Sequence, residues 1–439
     1  MLARITAAKT GGKLSVVYAI SVDVVCDTDP TWSRYRSLSK VIMLNTSSSV
    51  KLQLGLEVCA ADPPAELRGA KFGLLANAAS VDQDWNDSCH LLQRCFPGGL
   101  AAVFSPQHGF WGQEQANMIE TPHARHARFD VPVYSLYSEV RQPTAEMLGG
   151  LDALVIDLQD VGCRVYTFLW TVLACLVGCA QHGLRVVVLD RPNPLGGELI
   201  QGPLLDPQYR SFVGELPMPM RHGLTLGEAV RWMVGELNIQ LDLRVVAVRG
   251  WKRSQRFEEW SRAWVPTSPN LPTMEAVTVY PGQVLLEGTN LSEGRGTTQP
   301  FQLVGAPYVD PQVLTEELRG RHISGVRFRP VQFRPQFDKW AGRSCAGIGL
   351  HVTDVRKFDP YWTTVTILDA VHRLWPEAFS WRKPPYEYED EHWPIDIISG
   401  SDHLRRTITS GNEPHRDAAV AEVDVDAWIQ RTSAARLYA

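Results

Sequence analysis

A glutamine and a histidine stand side by side at the end of an apolar run. Gln107 and His108 follow Ser105-Pro106 directly, and a glycine comes next. An amide donates and accepts hydrogen bonds but has no titrating proton, whereas an imidazole can exchange a proton near neutral pH. Glu114, on the loop that follows, adds a carboxyl group. These residues are candidates for the lining of a polar cleft.

Polar side chains also follow the other apolar runs of this region. Ligands of open α/β sheets bind beyond the carboxyl ends of the strands, so these side chains are expected to line one cleft. Any single Asp or Asn at such a place is also ordinary turn and helix-cap chemistry, and the prediction depends on their number. The residues are Asn77, Asp157, Gln159, Asp160, Arg164, Tyr166, Asp190, Arg191 and Asn193.

A second dense stretch, "LLEGTNLSEGRGTTQP" at 285–300, combines two carboxylates, an amide and a guanidinium. They belong to Glu287, Glu293, Asn290 and Arg295. Such a set suits a polyhydroxylated, anionic ligand, and the alternative is a tight surface loop whose charges pair with one another. Upstream, the proline-stiffened segment 264–273 presents Asn270, either to the same cleft or as part of a rigid connection.

Composition and missing motifs narrow the class of ligand. A net charge of -5 and a pI near 6.2 give no electrostatic case for nucleic acid. No G-x-G-x-x-G follows the first apolar run and no G-x-x-x-x-G-K-[ST] occurs, so an enzyme acting on a nucleotide or sugar phosphate has little support. The histidines of "HARHAR" (123–128) lack a third ligand, and the cysteines lack paired spacing. Neither a metal nor a cofactor is predicted.

Five apolar runs alternate with helical patterns and predict a parallel sheet. They have no polar alternation, which is typical of strands covered on both faces. The helical pattern before Gly183 completes a βαβ unit, and several such units imply a doubly wound, Rossmann-like α/β fold. The runs cover residues 71–77, 100–106, 131–137, 151–158 and 184–190.

After about residue 200 the pattern becomes mixed and predicts an α+β domain. A capping box, Thr225-x-x-Glu228, opens one amphipathic helix, and residues 362–375 predict another. The strand-like runs are 243–250, 278–288, 326–333 and 347–353. We expect a Rossmann-like domain over 51–200 and an α+β domain over 201–439, with prolines 192, 194 and 203 at the crossover.

Residues 1–50 lie outside both predicted domains and are expected to be either a weakly ordered extension or a misassigned start. Their early positive charge and short apolar stretch suggest an export signal, but Asp23 interrupts the stretch and no clear cleavage site follows. No run of the chain reaches the roughly 18 apolar residues that a membrane span needs. A secreted, periplasmic or cytoplasmic location and the oligomeric state are left open.

Several segments occur in the order found in one bacterial family. They are "SPQHGF", "DLQDVGCRVYTF", "VLDRPNPLGG", "PTSPNLPT", "YPGQVLLEGTNLSEGRGTTQPF" and "GVRFRPVQFRPQFDKWAG". Over about residues 51–439 the chain resembles the exo-β-N-acetylmuramidases of glycoside hydrolase family 171, formerly domain of unknown function 1343. The resemblance implies a cleft between a Rossmann-like and an α+β domain. It also implies release of N-acetylmuramic acid from the non-reducing ends of peptidoglycan fragments, without a cofactor.

Gln107 departs from the family pattern, which commonly reads P-E-H-G at this place. Glycoside hydrolysis ordinarily needs a proton donor and a second carboxylate, and glutamine has no proton to give. If the glutamate of the family is the acid, this chain uses another, such as Glu114 or Glu120, or it has lost the reaction and only binds cell-wall fragments. If the position merely orients substrate, Gln107 is a near-isostere.

The resemblance suggests a role for each polar group. Glu287 or Glu293 supplies one carboxylate, and Glu114 or an aspartate of 157–160 supplies the other, with help from His108. Arg295 or Arg164 pairs with the lactyl carboxylate of muramic acid, ideally through two hydrogen bonds. The amides that bind hydroxyls or the acetamido group are Asn77, Asn193 and Asn270.

Overall fold

Six parallel strands form most of the largest sheet. The structure is a computed structural model that describes residues 51–116 and 118–439. In these residues the strands are β1 (Phe72–Ala76), β2 (Leu100–Ser105), β3 (Ala124–Arg125), β4 (Pro132–Ser135), β5 (Ala153–Asp157), β6 (Arg185–Leu189), β7 (Gln201–Leu204), β8 (Pro219–Arg221), β9 (Leu243–Val246), β10 (Leu303–Ala306), β11 (Val326–Phe333) and β12 (Cys345–Val352). The largest sheet has the order β3-β4-β2-β1-β5-β6-β9, and only the short β3 runs antiparallel to its neighbour.

Helices occur along the whole of the described chain between the strands. They are α1 (Gly55–Ala61), α2 (Ser88–Cys95), α3 (Ala145–Leu148), α4 (Phe168–Gln181), α5 (Leu226–Glu236), α6 (Met274–Gln283), α7 (Pro311–Gly320), α8 (Pro360–Leu374), α9 (Pro394–Ser399), α10 (His403–Thr409), α11 (Ala418–Ala421) and α12 (Val425–Thr432). Short 3-10 turns connect several of them, among them Val284–Gly288 directly after α6. No described helix is long and apolar enough to cross a membrane.

The parallel sheet is buried on both faces, which explains its continuous apolar runs. Leu74 and Val155 belong to the apolar cluster that contains α1 and α2, whereas Leu75 and Ile156 belong to the cluster of α4. Phe72 lies opposite Leu100 on one side and Ala153 on the other, so β2, β1 and β5 end at the same edge. The predicted strands and the predicted Rossmann-like fold are confirmed, and the polar residues that follow the strands gather at one rim.

A smaller antiparallel sheet, with the order β10-β12-β11, forms the centre of the second part of the chain. Helix α7 packs on this sheet and α8 packs on both α7 and α6. The capping box before α5 is present, with Thr225 accepting from the backbone of Glu228 and the Glu228 carboxylate accepting in return. The predicted helix over 362–375 is found as α8.

Two expectations about the second part of the chain need correction. The run 278–288 is not a strand but the end of α6 and a 3-10 turn, and every residue of it is buried. A helix buried all round shows no polar periodicity and therefore resembles a buried strand in sequence. The run 243–250 does contain a strand, but β9 pairs with β6 in the parallel sheet. The domain boundary at residue 200 stays a prediction, and the extension predicted for 1–50 lies outside the described residues.

The C-terminal residues return to the parallel sheet. The Tyr438 hydroxyl donates to the Asp190 carboxylate at the end of β6, over 2.5 Å, and accepts from the Val248 amide at 2.8 Å. Trp428 is fully buried and packs edge-on against Trp232 of α5. The last helix and tail of the chain therefore complete the surface of its first sheet.

Helix α6 approaches α8 so closely that the contact requires a glycine. A β-carbon on Gly282 would lie 1.7 Å from the Pro360 carbonyl oxygen, whereas one on the exposed Gly235 of α5 would meet nothing within 4 Å. Gly282→Ala should therefore lower the free energy of unfolding by about 1–3 kcal/mol, because the helices must move apart. Urea denaturation measures this effect.

Gly235→Ala is the matched control. It should raise the free energy of unfolding by up to about 1 kcal/mol, as alanine does in an exposed helix. Similar losses for both variants would contradict the close contact between α6 and α8.

Candidate active site

A cavity that opens to solvent lies beyond the carboxyl ends of β2 and β5. Its walls come from the ends of these strands, the segment 268–271, α6 with the turn after it, and the loop before α9. The predicted residues that line it are Gln107, His108, Tyr166, Asn270, Glu287 and Arg295. Sequence reasoning had not singled out the carboxyl group of Glu387, which also lines it.

Glu287 is held as a buried carboxylate at the end of α6. Arg295 donates to its Oε1 at 2.5 Å, and the Tyr386 hydroxyl donates to its Oε2 at 2.6 Å. Burial by itself raises the pKa of Glu287, but the charge of Arg295, the Tyr386 hydrogen bond and the charge of Lys339 outweigh it. The pKa of Glu287 is therefore lower than that of an ordinary glutamate, and the group is ionised at neutral pH.

The pKa of Glu387, in contrast to that of Glu287, is raised. Glu387 is 2% exposed, accepts from the Tyr137 hydroxyl at 2.7 Å and accepts from the Gln107 amide at 3.2 Å. Burial raises its pKa to about 7, and the negative charge of Glu287 acts in the same direction. The two hydrogen bonds and Arg295 oppose this shift without cancelling it. Glu387 therefore holds a proton at a pH where Glu287 does not.

Gln107 connects Glu387 to the end of β2. Thr167 donates to the Gln107 carbonyl oxygen at 2.7 Å, which turns the amide nitrogen toward Glu387. A glutamate at position 107 would place a second carboxyl group in this contact, whereas the neutral amide adds a donor and no charge. Gln107, the residue that departs from the family pattern, is thus hydrogen-bonded to the carboxyl group of Glu387.

The backbone that carries Glu387 is strained. Tyr386 and Glu389 exchange backbone hydrogen bonds of 2.9 and 3.0 Å around the turn, and Glu387 and Tyr388 have φ angles of 47° and 67°. Two central residues with positive φ are typical of a type I′ turn, which normally uses glycine or asparagine. Non-glycine residues persist in such a conformation where the surroundings hold them, and functional sites are common places for it.

His108 is a neutral base in the cavity wall. Its Nδ1 donates to the Glu114 carbonyl oxygen at 2.7 Å, which leaves the lone pair on Nε2. Burial lowers its pKa to about 4, the charge of Arg295 adds to this, and the hydrogen bond and Glu287 oppose it. His108 has a φ of 73°, so its backbone is also in the left-handed region. The imidazole can accept a hydrogen bond from a ligand at neutral pH.

Arg295 is fixed between two carboxylates. Besides Glu287, its Nε lies 3.1 Å from Glu293, which in turn lies 2.7 Å from the Lys339 ammonium. The guanidinium also stands over the Phe301 ring at 5.0 Å. Glu293 is 1% exposed and does not line the cavity. Glu293 therefore contacts Arg295 from outside the cavity and helps to orient its guanidinium group.

Several other predicted residues lie away from the cavity and support the loops around it. Arg164 is fully buried and donates to the carbonyls of 203, 218, 398 and 399, at 2.8–2.9 Å. Asp160 accepts from the Gly162 amide and from His222. Asp190, whose pKa burial raises to about 6, accepts from Thr225, the Gly227 amide and Tyr438. The structure does not bring these three residues to the cavity.

The remaining predicted residues are also engaged in local contacts. Asp157 forms a buried ion pair with Arg191, and Arg191 and Gln159 line a separate cavity with aromatic walls. The amides of Asn77, Asn193 and Asn290 donate to the backbone carbonyls of 267, 224 and 378. Glu114 is half-buried and supplies a backbone carbonyl to His108, while Glu120 is exposed beside Arg141.

Comparison with known proteins identifies the family. Residues 72–275 match the N-terminal domain model of the exo-β-N-acetylmuramidase NamZ, and residues 278–438 match its C-terminal domain model. The chain belongs to the NamZ family. It is 41% identical over 366 residues to the peptidoglycan β-N-acetylmuramidase NamZ of Bacillus subtilis (strain 168), which covers 83% of this chain and 86% of that protein.

Crystal structures from Bacteroides fragilis have the same fold as this NamZ family member. One protein of the domain of unknown function 1343 family has a TM-score of 0.80 and 30% identity, and covers 89% of this chain and 100% of its own. A second has a TM-score of 0.67 and 27% identity, and covers 88% and 99%. The family resemblance and the α/β fold predicted from sequence are confirmed.

The residues that sequence reasoning missed come mainly from one segment, "PPYEYEDEHWP" at 384–394. It brings Tyr386 and Glu387 to the cavity, and Tyr137 at the end of β4 completes the contact with Glu387. Its run of acidic and tyrosine residues between prolines was the available signal. Nothing in its spacing shows that it meets β2 in space.

Removal of the Tyr137 hydroxyl should raise the pKa of Glu387 above about 7, since this hydrogen bond lowers it. Tyr137→Phe can be tested by a titration of carbon-13-labelled glutamate carboxyl signals, with Glu387→Gln to assign the signal. Tyr209→Phe removes a hydroxyl outside the cavity and should leave the titration unchanged. A Glu387 pKa that stays the same or falls in Tyr137→Phe would show that this bond does not control the carboxyl group.

Proposed function

We propose that this chain is a glycoside hydrolase that releases N-acetylmuramic acid from the non-reducing ends of peptidoglycan fragments. The observation that carries the proposal is the pair Glu287 and Glu387, which line one cavity and have pKa values moved in opposite directions. Paired carboxyl groups with separated pKa values divide the acid and carboxylate roles of glycosidases. The name of the 41% identical Bacillus subtilis relative supports the same reaction.

Glu387 is the proposed proton donor. Its carboxylic acid gives a proton to the glycosidic oxygen as the bond from the anomeric carbon to that oxygen breaks. Glu287 stays ionised and faces the positive charge that develops on the sugar ring, as nucleophile or as base toward water. If Glu287 is the nucleophile, water cleaves the bond between the sugar and Glu287 and gives its proton to Glu387. If Glu287 is the base, it takes the proton of the attacking water and releases it to solvent, from which Glu387 regains its own.

Three further groups of the cavity suit the parts of the sugar that do not react. Among the described residues that line it, Arg295 is the permanently charged cation, and it would face the lactyl carboxylate that distinguishes muramic acid. Asn270 would bind the acetamido group or a hydroxyl, and His108 would accept a hydroxyl through Nε2. Glu293 would act through Arg295, since it lies behind that residue.

Glu387 is a better candidate for the acid than Glu114 or Glu120. Glu114 contacts the site through its backbone carbonyl, and Glu120 is exposed and forms an ion pair with Arg141 at 3.4 Å. The position of Glu387 beside Gln107 also argues against a protein that only binds cell-wall fragments, because the carboxyl group absent at 107 is present in its neighbour.

The loss of a general acid should depend on the leaving group. Glu387→Gln should lower kcat/KM on a muramic acid–glucosamine disaccharide by about 10²–10⁴-fold, because its leaving group needs protonation. On an aryl β-N-acetylmuramide with an acidic phenol the loss should be about tenfold or less. Rates of sugar and phenol release measure both effects.

Glu114→Gln is the matched control and should keep most activity on both substrates. The aryl N-acetylglucosaminide should not be turned over, since it lacks the lactyl group. Equal losses on disaccharide and aryl muramide in Glu387→Gln would remove the acid role from this residue. A wild-type protein that turns over neither substrate would refute the proposed function.

The pH dependence should report the same two groups. kcat/KM should fall as the pH rises through about 7, because Glu387 then loses the proton that it must donate. The acid limb should lie below the ordinary glutamate range, since the pKa of Glu287 is lowered. Tyr137→Phe should move the alkaline limb to higher pH, and an alkaline limb that persists unchanged in Glu387→Gln would contradict the assignment.

A further inference from the structure

Four arginines line a further cavity of the described chain, apart from the candidate active site and from the aromatic cavity. They are Arg221 at the end of β8, Arg253 and Arg256 before a 3-10 turn, and Arg356 on the loop before α8. The loop 195–199 closes another side and contributes Glu198, the carboxylate among the lining residues. The walls of this cavity therefore carry a large excess of positive charge.

Arg221 and Arg256 are the two most deeply buried of these arginines, and nearby carboxylates compensate their charge the least. Arg221 is 4% exposed and donates to the Gln201 side chain at 2.9 Å and the Leu195 carbonyl at 2.5 Å. Within the described residues no carboxylate lies within 4 Å of it, and its Nε has no hydrogen-bond acceptor. Burial lowers the pKa of Arg221 to about 9, the charge of Arg256 adds to this, and Asp359 opposes it. A buried cation in this state calls for an anion.

Arg256 repeats this situation beside Arg221. It is 7% exposed and donates to the Leu195 carbonyl and to Thr278 of α6, both at 3.2 Å. Its Nε lies 3.5 Å from Glu258, whose side chain is 51% exposed, and makes no hydrogen bond. Among the described residues, the two buried guanidinium groups thus have one carboxylate within 4 Å, that of the half-exposed Glu258, while Asp359 and Glu259 act from farther away.

Arg253 and Arg356 complete the walls with different degrees of neutralisation. Arg253 is paired with the buried Glu228 at 2.5 Å. Arg356 is mostly exposed. Its guanidinium lies 3.9 Å from the Glu198 carboxylate, and because both side chains are on the surface, water screens the attraction between them. Arg356 is therefore free to turn to a ligand, and Glu198 is the group that an anion must displace or tolerate.

The glycines of "DRPNPLGG" have their structural reason here. A β-carbon on Gly197 would lie 2.5 Å from Cγ and 2.7 Å from a terminal nitrogen of Arg253, and Gly196 has a φ of 81°. Only a loop without side chains lets the arginines approach its backbone this closely. The end of this motif thus lines the arginine cavity, whereas its Arg191 lines the aromatic cavity.

We propose that the arginine cavity binds a phosphate-type oxyanion, either free phosphate or the phosphoryl group of an ester. Guanidinium groups from separate chain segments suit an anion that offers several acceptor oxygens and more than one charge. Such a ligand supplies the acceptors that the Arg221 and Arg256 side chains lack. The proposal is independent of the reaction at Glu287 and Glu387.

Titration calorimetry with inorganic phosphate tests the proposal on the full chain, with ionic strength held constant by chloride. Wild type should bind one phosphate. Arg356→Gln should weaken binding about tenfold, as the loss of one charged hydrogen bond does. Glu198→Gln should tighten it about threefold, because the competing carboxylate is gone. Both positions are exposed, so the fold tolerates the changes.

Arg327→Gln, which removes an exposed arginine of β11 outside the cavity, is the control and should leave binding unchanged. Glucose 6-phosphate that binds as tightly as phosphate points to an ester, and binding of inorganic phosphate alone points to the free ion. Acetate that binds equally well would overturn the phosphate class. No phosphate binding to wild type, or equal effects of Arg356→Gln and Arg327→Gln, would overturn the site itself.

Discussion

The candidate active site depends on the buried ion pair between Glu287 and Arg295. A carboxylate this deeply buried is unstable without a partner, and removal of one member leaves an uncompensated charge in the protein interior. Arg295 is in turn held by Glu293, and Glu293 by Lys339. This alternation of charge keeps Glu287 ionised, and the negative charge of Glu287 helps to keep its neighbour Glu387 protonated. The ion pair therefore keeps Glu287 ionised, whereas burial is the main reason that Glu387 stays protonated and Glu287 adds to it.

The fold supplies this chemistry from distant parts of the sequence. Glu287 follows a helix of the second part of the chain, whereas Gln107 and His108 follow a strand of the parallel sheet. Glu387 comes from a turn before α9 and meets Gln107 across 280 positions of sequence. Regular secondary structure positions the Glu287 carboxylate and the Gln107 amide, whereas a strained turn positions the Glu387 carboxylic acid. Each group is therefore set by a different kind of local structure.

Sequence could predict the parallel sheet because burial on both faces leaves a direct trace, continuous apolar runs such as 153–157. It failed at 278–288, where a helix buried all round leaves a similar trace. For the site, strand ends and the 285–300 stretch led to Gln107, His108, Glu287 and Arg295. Arg164 seemed equally suitable by type, but only coordinates show that backbone carbonyls surround its guanidinium group. Glu387 was missed because its contact partners are remote in sequence.

The contact between Tyr438 and the parallel sheet affects the order in which the hydrogen bonds of that sheet can form. Tyr438 lies 248 positions after Asp190 and 190 positions after Val248, yet its hydroxyl donates to the Asp190 carboxylate and accepts from the Val248 amide. During synthesis the first sheet emerges from the ribosome long before these groups can be satisfied. Until residue 438 has been made, the Asp190 carboxylate at the end of β6 therefore lacks this hydroxyl donor.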